Sequence, residues 1–302
     1  MNIEIWSDYV CPFCYIGKRQ IEMAIESTGL KGKVDVQFKA YQLDPHTPAD
    51  IDQTMYESLA KKYNMPIEKA VQMTNGVKER AEEIGLHYDF ENMRPANTFK
   101  AHRLAKWAET KGKAAEFNEA MMKAYFIDAK KINDVNVLAT IAEGVGLSRE
   151  EALAIANSAD FEKEVNKDIQ EAIQIGIKGV PFFVLNRKYA ISGAQPQELF
   201  EDTLRKVAEE EGIFDLYMDA AREVCKENNI PVCDNYKMWK TLYENGVDTT
   251  ELLANKIKFH NSHRCKVLLS NHQRFLTKVK SPLPLPLYVM YLQKVPEVVH
   301  LK

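Results

Sequence analysis

Cysteine is scarce in this chain. Five thiols stand among 302 residues, at positions 11, 14, 225, 233 and 265. They are too few and too irregularly spaced for a disulfide scaffold. Long apolar runs are also missing. No stretch approaches the roughly 18 residues that a membrane-spanning helix needs, so no membrane partner is expected. The opening, MNIEIWSDYV, has no basic n-region and no long apolar h-region, so no secretory signal is expected. The cytoplasm is the expected compartment, and there structural thiols stay reduced. A basic excess is absent too. The formal net charge is -3, which gives no general case for a nucleic-acid partner. Metal-ligand spacings are missing as well. Zinc takes about four ligands, yet Cys11 and Cys14 have no second CxxC and no nearby His pair, so no metal is expected.

The chain does carry clear periodicities. In "NIEIW", Ile3 and Ile5 alternate with polar neighbours, which predicts a strand. "IGKRQIEMAIES" places Ile16, Ile21, Ala24 and Ile25 on one helix face, with Gly29 as C-cap. "KVDVQFKAYQL" alternates Val34, Val36 and Phe38 and predicts a second strand. A helical block rich in Ala, Glu, Lys and Met follows over roughly 52–178, broken by turn signals near Pro66, Pro95, Gly112 and Gly144 to Gly146. Within it, "SREEAL" reads as a capping box opened by Ser148. Val180, Phe182 and Val184, a turn at Asn186 and Arg187, then Tyr189 and Ile191 predict a hairpin. "PQELFEDTLRKVAEEEG" predicts a closing amphipathic helix. The order βαβ, helices, ββα predicts a split α/β sandwich.

Between the first strand and the first helix stands Cys11-Pro12-Phe13-Cys14. A sulfur at a helix start meets unsatisfied backbone N–H groups and the positive end of the dipole. Both favour thiolate, the nucleophile of disulfide exchange. Cys14, one turn on, is placed to resolve a mixed disulfide. Pro12 suits the first helical turn, where its missing N–H is not needed. Cys11 is expected to be the exposed nucleophile and Cys14 the shielded resolver. Two inert buried thiols would not explain their place at a helix start.

"IEIWSDYVCPFCYIGKRQIE", with "NTFKAHRLAKWA" at 97–108 and "GIKGVPFFVLNRKYAISGAQP" at 176–196, resembles the DsbA family of thioredoxin-like oxidoreductases, in its FrnE-like branch. The resemblance covers about residues 1–210. It implies an α/β, thioredoxin-like fold with a large helical insertion. The thioredoxin-like domain is split between 1–50 and 177–212, and the insertion occupies 51–176. The implied activity is thiol-disulfide oxidoreduction, of the protein disulfide oxidoreductase or isomerase type. Cys11 matches the attacking cysteine and Cys14 the resolving one. Pro12 and Phe13 match the dipeptide that tunes the potential. Pro181 matches the cis-proline beside the CxxC, and Val180 the residue before it; both then bind substrate. The implied partners are protein or small-molecule thiols and disulfides. No cofactor is needed beyond the redox-active disulfide, with glutathione as a candidate reductant. Phe13 stands where periplasmic DsbA has His. Without that imidazole the couple should be less oxidising than the roughly -120 mV of DsbA. A related group, the kappa-class glutathione transferases and 2-hydroxychromene-2-carboxylate isomerases, has a serine in place of Cys11, so glutathione-dependent chemistry on small molecules is the competing reading. Asp8 reads as a turn former or a neighbour of the sulfurs, His102 as a packing residue or part of the cleft, and Asn97 as a helix cap and nothing more.

The resemblance stops near 212. "VCDNYKMWKTLYENGVDTTELLANKI" (232–257) resembles the C-terminal segment of SGNH/GDSL-type esterases. That match breaks after Ile257, where "KFHNSHRCKVLLSNHQRF" leaves His260 or His263 only a loose counterpart of the catalytic His. No nucleophile block precedes it, so no esterase activity is expected. Composition shifts at the same place: residues 252–302 hold nine Lys and Arg against one acid, Glu297. The extension 213–302 therefore reads as a hydrolase-like fragment to about 257, followed by a disordered tail that reflects a fusion or frame disruption, or else a basic tail for an acidic partner. Cys225, Cys233, Cys265 and His260 form no metal spacing.

Overall fold

A computed structural model describes residues 1–48, 51–213, 241, 245 and 299–300. Contacts divide the chain into two units, Met1–Val207 with Lys294–Lys302, and Ala208–Gln293. The expectations for 213–302 fall almost wholly outside the described residues.

The first unit opens with β1 (Asn2–Ser7), α1 (Pro12–Ser27) and β2 (Asp35–Ala40). Seven helices follow among the described residues: α2 (Met55–Lys62), α3 (Ile67–Glu82), α4 (Phe99–Thr110), α5 (Ala114–Phe126), α6 (Val135–Gly144), α7 (Arg149–Asn157) and α8 (Glu162–Gln174). The chain then returns to the sheet through β3 (Phe182–Leu185) and β4 (Tyr189–Ser192), and α9 spans Gln197–Glu210. The sheet order is β2-β1-β3-β4, with the two-residue β5 (Val299–His300) beside β4. β1 runs parallel to β2, with Ile5 opposite Phe38, and antiparallel to β3, with Ile3 opposite Leu185. This is a mixed α/β architecture with a helical insertion between β2 and β3, as the resemblance implies.

Local chemistry explains the boundaries. Pro12 begins α1 at the position where a missing N–H costs nothing. At the other end, Gly29 has φ +72, and its N–H donates to Glu26 O while the Leu30 N–H donates to Ile25 O. That pair of bonds is a Schellman cap. The hairpin turns on Asn186 and Arg187, both with positive φ, in the mirror-image geometry that matches strand twist. The expected capping box at Ser148 is only half made. Ser148 accepts from the Glu151 N–H at 3.2 Å, but the Glu151 carboxylate pairs with Lys111 at 3.0 Å instead of turning back. The full box forms at Thr54 and Glu57, at the start of α2.

The helical segment is tied to the sheet by buried charge. Asp168 of α8 accepts from the Ala40 N–H at 3.0 Å and from Lys106 of α4 at 2.6 Å, and its carbonyl accepts from Trp6 Nε1 at 3.0 Å. Lys39 lies 3.5 Å from Asp168 and 3.4 Å from Glu4, and Glu4 also pairs with Arg187 of the hairpin. Buried ions keep such a place only when paired and hydrogen-bonded. Fully buried side chains such as Trp6, Phe117, Phe183 and Phe200 belong to the core, each contributing roughly 1.5–3 kcal/mol through its removal from water.

Candidate active site

Cys11 is the N-cap of α1, with extended backbone angles. Its N–H donates to Asp8 O at 3.1 Å, and its carbonyl accepts from the Cys14 N–H at 2.9 Å. The first turn of α1 contains no acidic side chain, so nothing there offsets the positive end of the helix. The Cys11 thiol faces the carbonyl of Val180 at 3.4 Å. The next peptide bond, Val180–Pro181, is cis. Residues 169 positions apart thus meet at one sulfur.

Gly17 permits this approach. A Cβ there would lie 3.0 Å from both Pro181 Cγ and Phe183 Cζ, so only a glycine lets α1 settle against the proline loop without displacing it.

Both cysteines are free thiols. Cys11 is not the exposed residue the sequence suggests. It is 4% exposed, against 1% for Cys14. Tyr9 of the loop before Cys11, and Tyr88 and Phe90 of the insertion, belong to the buried apolar cluster that holds both sulfurs. Tyr88 also donates a hydrogen bond to the Pro12 carbonyl at 2.8 Å. Phe13 is the open part of the motif, at 37% exposure. Arg80 of α3 sits 5.7 Å from its ring centroid and also donates to the Ala194 carbonyl.

Burial pushes the Cys14 thiol well above its ordinary pKa. The adjacent Cys11 sulfur adds to this, and the Asp8 N–H and the Ser7 hydroxyl offset only part. Cys14 is thereby held as a thiol in the reduced protein.

Asp8 is both a turn former and a neighbour of the sulfurs, and its N–H lies 3.5 Å from Cys14 Sγ. His102 is buried against it, with Nε2 3.4 Å from Asp8 Oδ1. Asn97 does more than cap. Its Oδ1 accepts from the Phe99 N–H at 3.0 Å, while its Nδ2 donates to the carbonyls of Pro45 and Thr47, fastening the segment after β2 to the start of α4. Sequence reasoning did not single out Tyr88, Arg80 or Ser7. A glycine inside a helical pattern was the one signal that could have flagged Gly17. Among the described residues no group of three His, Cys, Asp or Glu side chains could hold a metal ion, and no helix is long and apolar enough to cross a membrane.

A strand–CxxC–helix unit whose first sulfur faces the carbonyl of a returning strand's lead-in loop is the arrangement of a thioredoxin-like fold. The profile of the DSBA-like thioredoxin domain matches residues 2–205, and the chain belongs to that family. It is 30% identical over 209 residues to the uncharacterized protein YwbO of Bacillus subtilis, across 68% of this chain and 96% of that one. Among solved structures it resembles a probable DsbA oxidoreductase from Streptomyces coelicolor, with 36% identity and a TM-score of 0.67 over 70% of this chain and 91% of that one.

Proposed function

We propose that the protein exchanges disulfides through its CPFC couple, in the cytoplasm, with protein or small-molecule thiols and disulfides as substrates. In the reducing direction Cys11 attacks one sulfur of a substrate disulfide and expels the other as a thiol. Cys14 then attacks the Cys11 sulfur of the mixed disulfide and releases the second substrate thiol, leaving a Cys11–Cys14 bond. Two electrons pass to the substrate, and a thiol such as glutathione restores the dithiol. The reverse sequence oxidises a substrate dithiol. Val180 and Pro181 bind substrate: the Val180 backbone lies against the reacting sulfur, where an extended peptide can pair with it as an added strand. Pro12 and Phe13 tune the potential. Sulfur at both positions favours dithiol chemistry over glutathione-dependent transfer or isomerisation.

The observation that carries this reading is the Cys11 thiol at the N-cap of α1, facing the carbonyl before cis-Pro181. The test is insulin reduction and oxidative refolding by wild type beside Cys11→Ser and Cys14→Ser. Both variants should lose turnover, and only Cys14→Ser should accumulate mixed disulfides with substrate. Full activity in either variant, or mixed disulfides trapped by Cys11→Ser instead, would sink it.

A further inference from the structure

Asp8 is 1% exposed, and its backbone is bound to both cysteines. Its carbonyl accepts from the Cys11 N–H at 3.1 Å, and its own N–H lies 3.5 Å from Cys14 Sγ. Its carboxylate is held from two other parts of the chain. Oδ2 accepts from the Leu43 N–H at 2.8 Å, just beyond β2, and Oδ1 lies 3.4 Å from Nε2 of His102 on α4. His102 is itself fixed. Its ring lies 4.8 Å from that of Tyr9, whose hydroxyl donates to Asn118 Oδ1 on α5 at 2.6 Å. Among the described residues, His102 is the basic side chain that faces this carboxylate.

We infer that His102, acting through Asp8, is a positioning residue that sets the dithiol–disulfide equilibrium of Cys11 and Cys14. The inference rests on the dithiol reading above. A buried carboxylate on the residue whose backbone binds both cysteines disfavours a thiolate there, because like charges repel strongly where water is excluded. A ring N–H donated to that carboxylate draws its charge away from the sulfurs and holds the Asp8 backbone in register with both. Without the ring the reduced form loses stability relative to the disulfide. Without the negative charge it gains. The two losses therefore move the couple in opposite directions, which simple damage to the fold would not do.

The experiment equilibrates the full-length protein in glutathione buffers of graded ratio. Two glutathione thiols become one glutathione disulfide as the Cys11–Cys14 bond takes up two electrons and two protons. Alkylation and mass spectrometry then read the oxidation state of the peptide carrying both cysteines. His102→Ala should favour the disulfide about tenfold, which is ~30 mV toward more reducing potentials. His102→Gln, whose amide can donate to the same oxygen, should recover most of that shift. Asp8→Asn should move the couple the other way. Unchanged potentials in His102→Ala and Asp8→Asn, or shifts of one sign in both, overturn the inference while leaving the redox reading intact. If His102→Ala does not fold, Asp8→Asn decides alone, and a shift to more reducing values or none overturns the inference. A wild-type protein that never interconverts in these buffers overturns the redox reading and this inference with it.

Discussion

Single atoms decide most of what the CPFC motif can do. Phe13 offers a ring face to Arg80 and solvent, and no hydrogen bond to sulfur. Phe13→His should therefore raise the reduction potential, because an imidazole stabilises the reduced, thiolate-bearing form. A shift of about 30 mV corresponds to roughly 1.4 kcal/mol for two electrons, and a redox titration against glutathione reads it. A null result, or a shift to more reducing values, removes this account of the dipeptide. Gly17 makes the second case. Gly17→Val would drive a branched side chain into Pro181 and Phe183, where even a Cβ has only 3.0 Å. Overpacking of this kind costs about 1–3 kcal/mol, so the melting temperature should fall and turnover should fall with it. A variant as stable and active as wild type would show that α1 and the proline loop need no such closeness.

Between elements, Glu119 of α5 clasps α1. It receives hydrogen bonds from Tyr15 at 2.7 Å and Arg19 at 2.8 Å, and pairs with Lys18 as well. Burial pushes the Glu119 carboxyl up, but Lys18, Tyr15 and Arg19 more than offset it and hold the group below its ordinary value. A carboxylate depressed in the folded state stabilises it fully above the unfolded value, roughly 4.3, and that contribution is lost as pH falls through the lower folded value. Unfolding midpoints measured between neutral pH and acid should show this. Glu119→Gln should be less stable than wild type near neutrality, with the gap narrowing as the pH drops below about 4. A gap that stays constant with pH would assign the clasp to packing instead. The elements themselves were largely readable. Strand alternation, Pro12 at a helix start and Gly29 past its end are local signals, and the structure places β1, α1 and the hairpin where those signals put them. What was not readable depends on distance along the chain. Glu151 turned from its cap to Lys111 because a cation just past the end of α4 competed for it. His102 and Asp8 are 94 positions apart, and nothing in either segment announces the other. Nor does composition tell that Cys11 is buried, since Tyr88 and Phe90, which share its apolar cluster, come from the distant helical insertion.

Along the chain, the family match ends at residue 205, before the second unit begins at Ala208. A protein cut after residue 213 should fold, and should keep disulfide exchange within about twofold of the full chain. The sulfurs, the cis-proline loop and the buried charges around Asp168 all belong to residues before the cut. Among the described residues it loses Thr241, Asn245 and β5, whose two residues pair with Tyr189 and Ala190 at the sheet edge. Circular dichroism and an insulin-reduction assay on the truncated chain test this. Failure to fold would make the last residues an integral part of the sheet.

The covered sulfur has a kinetic meaning as well. A nucleophile with 4% of its surface in contact with solvent is rationed by collision geometry before any potential matters. Bulky folded disulfides should be turned away at the threshold, while slender ones, such as a small dithio compound or a loosened loop, pass. The same screen should slow peroxide, so that over-oxidation of Cys11 lags behind disulfide exchange.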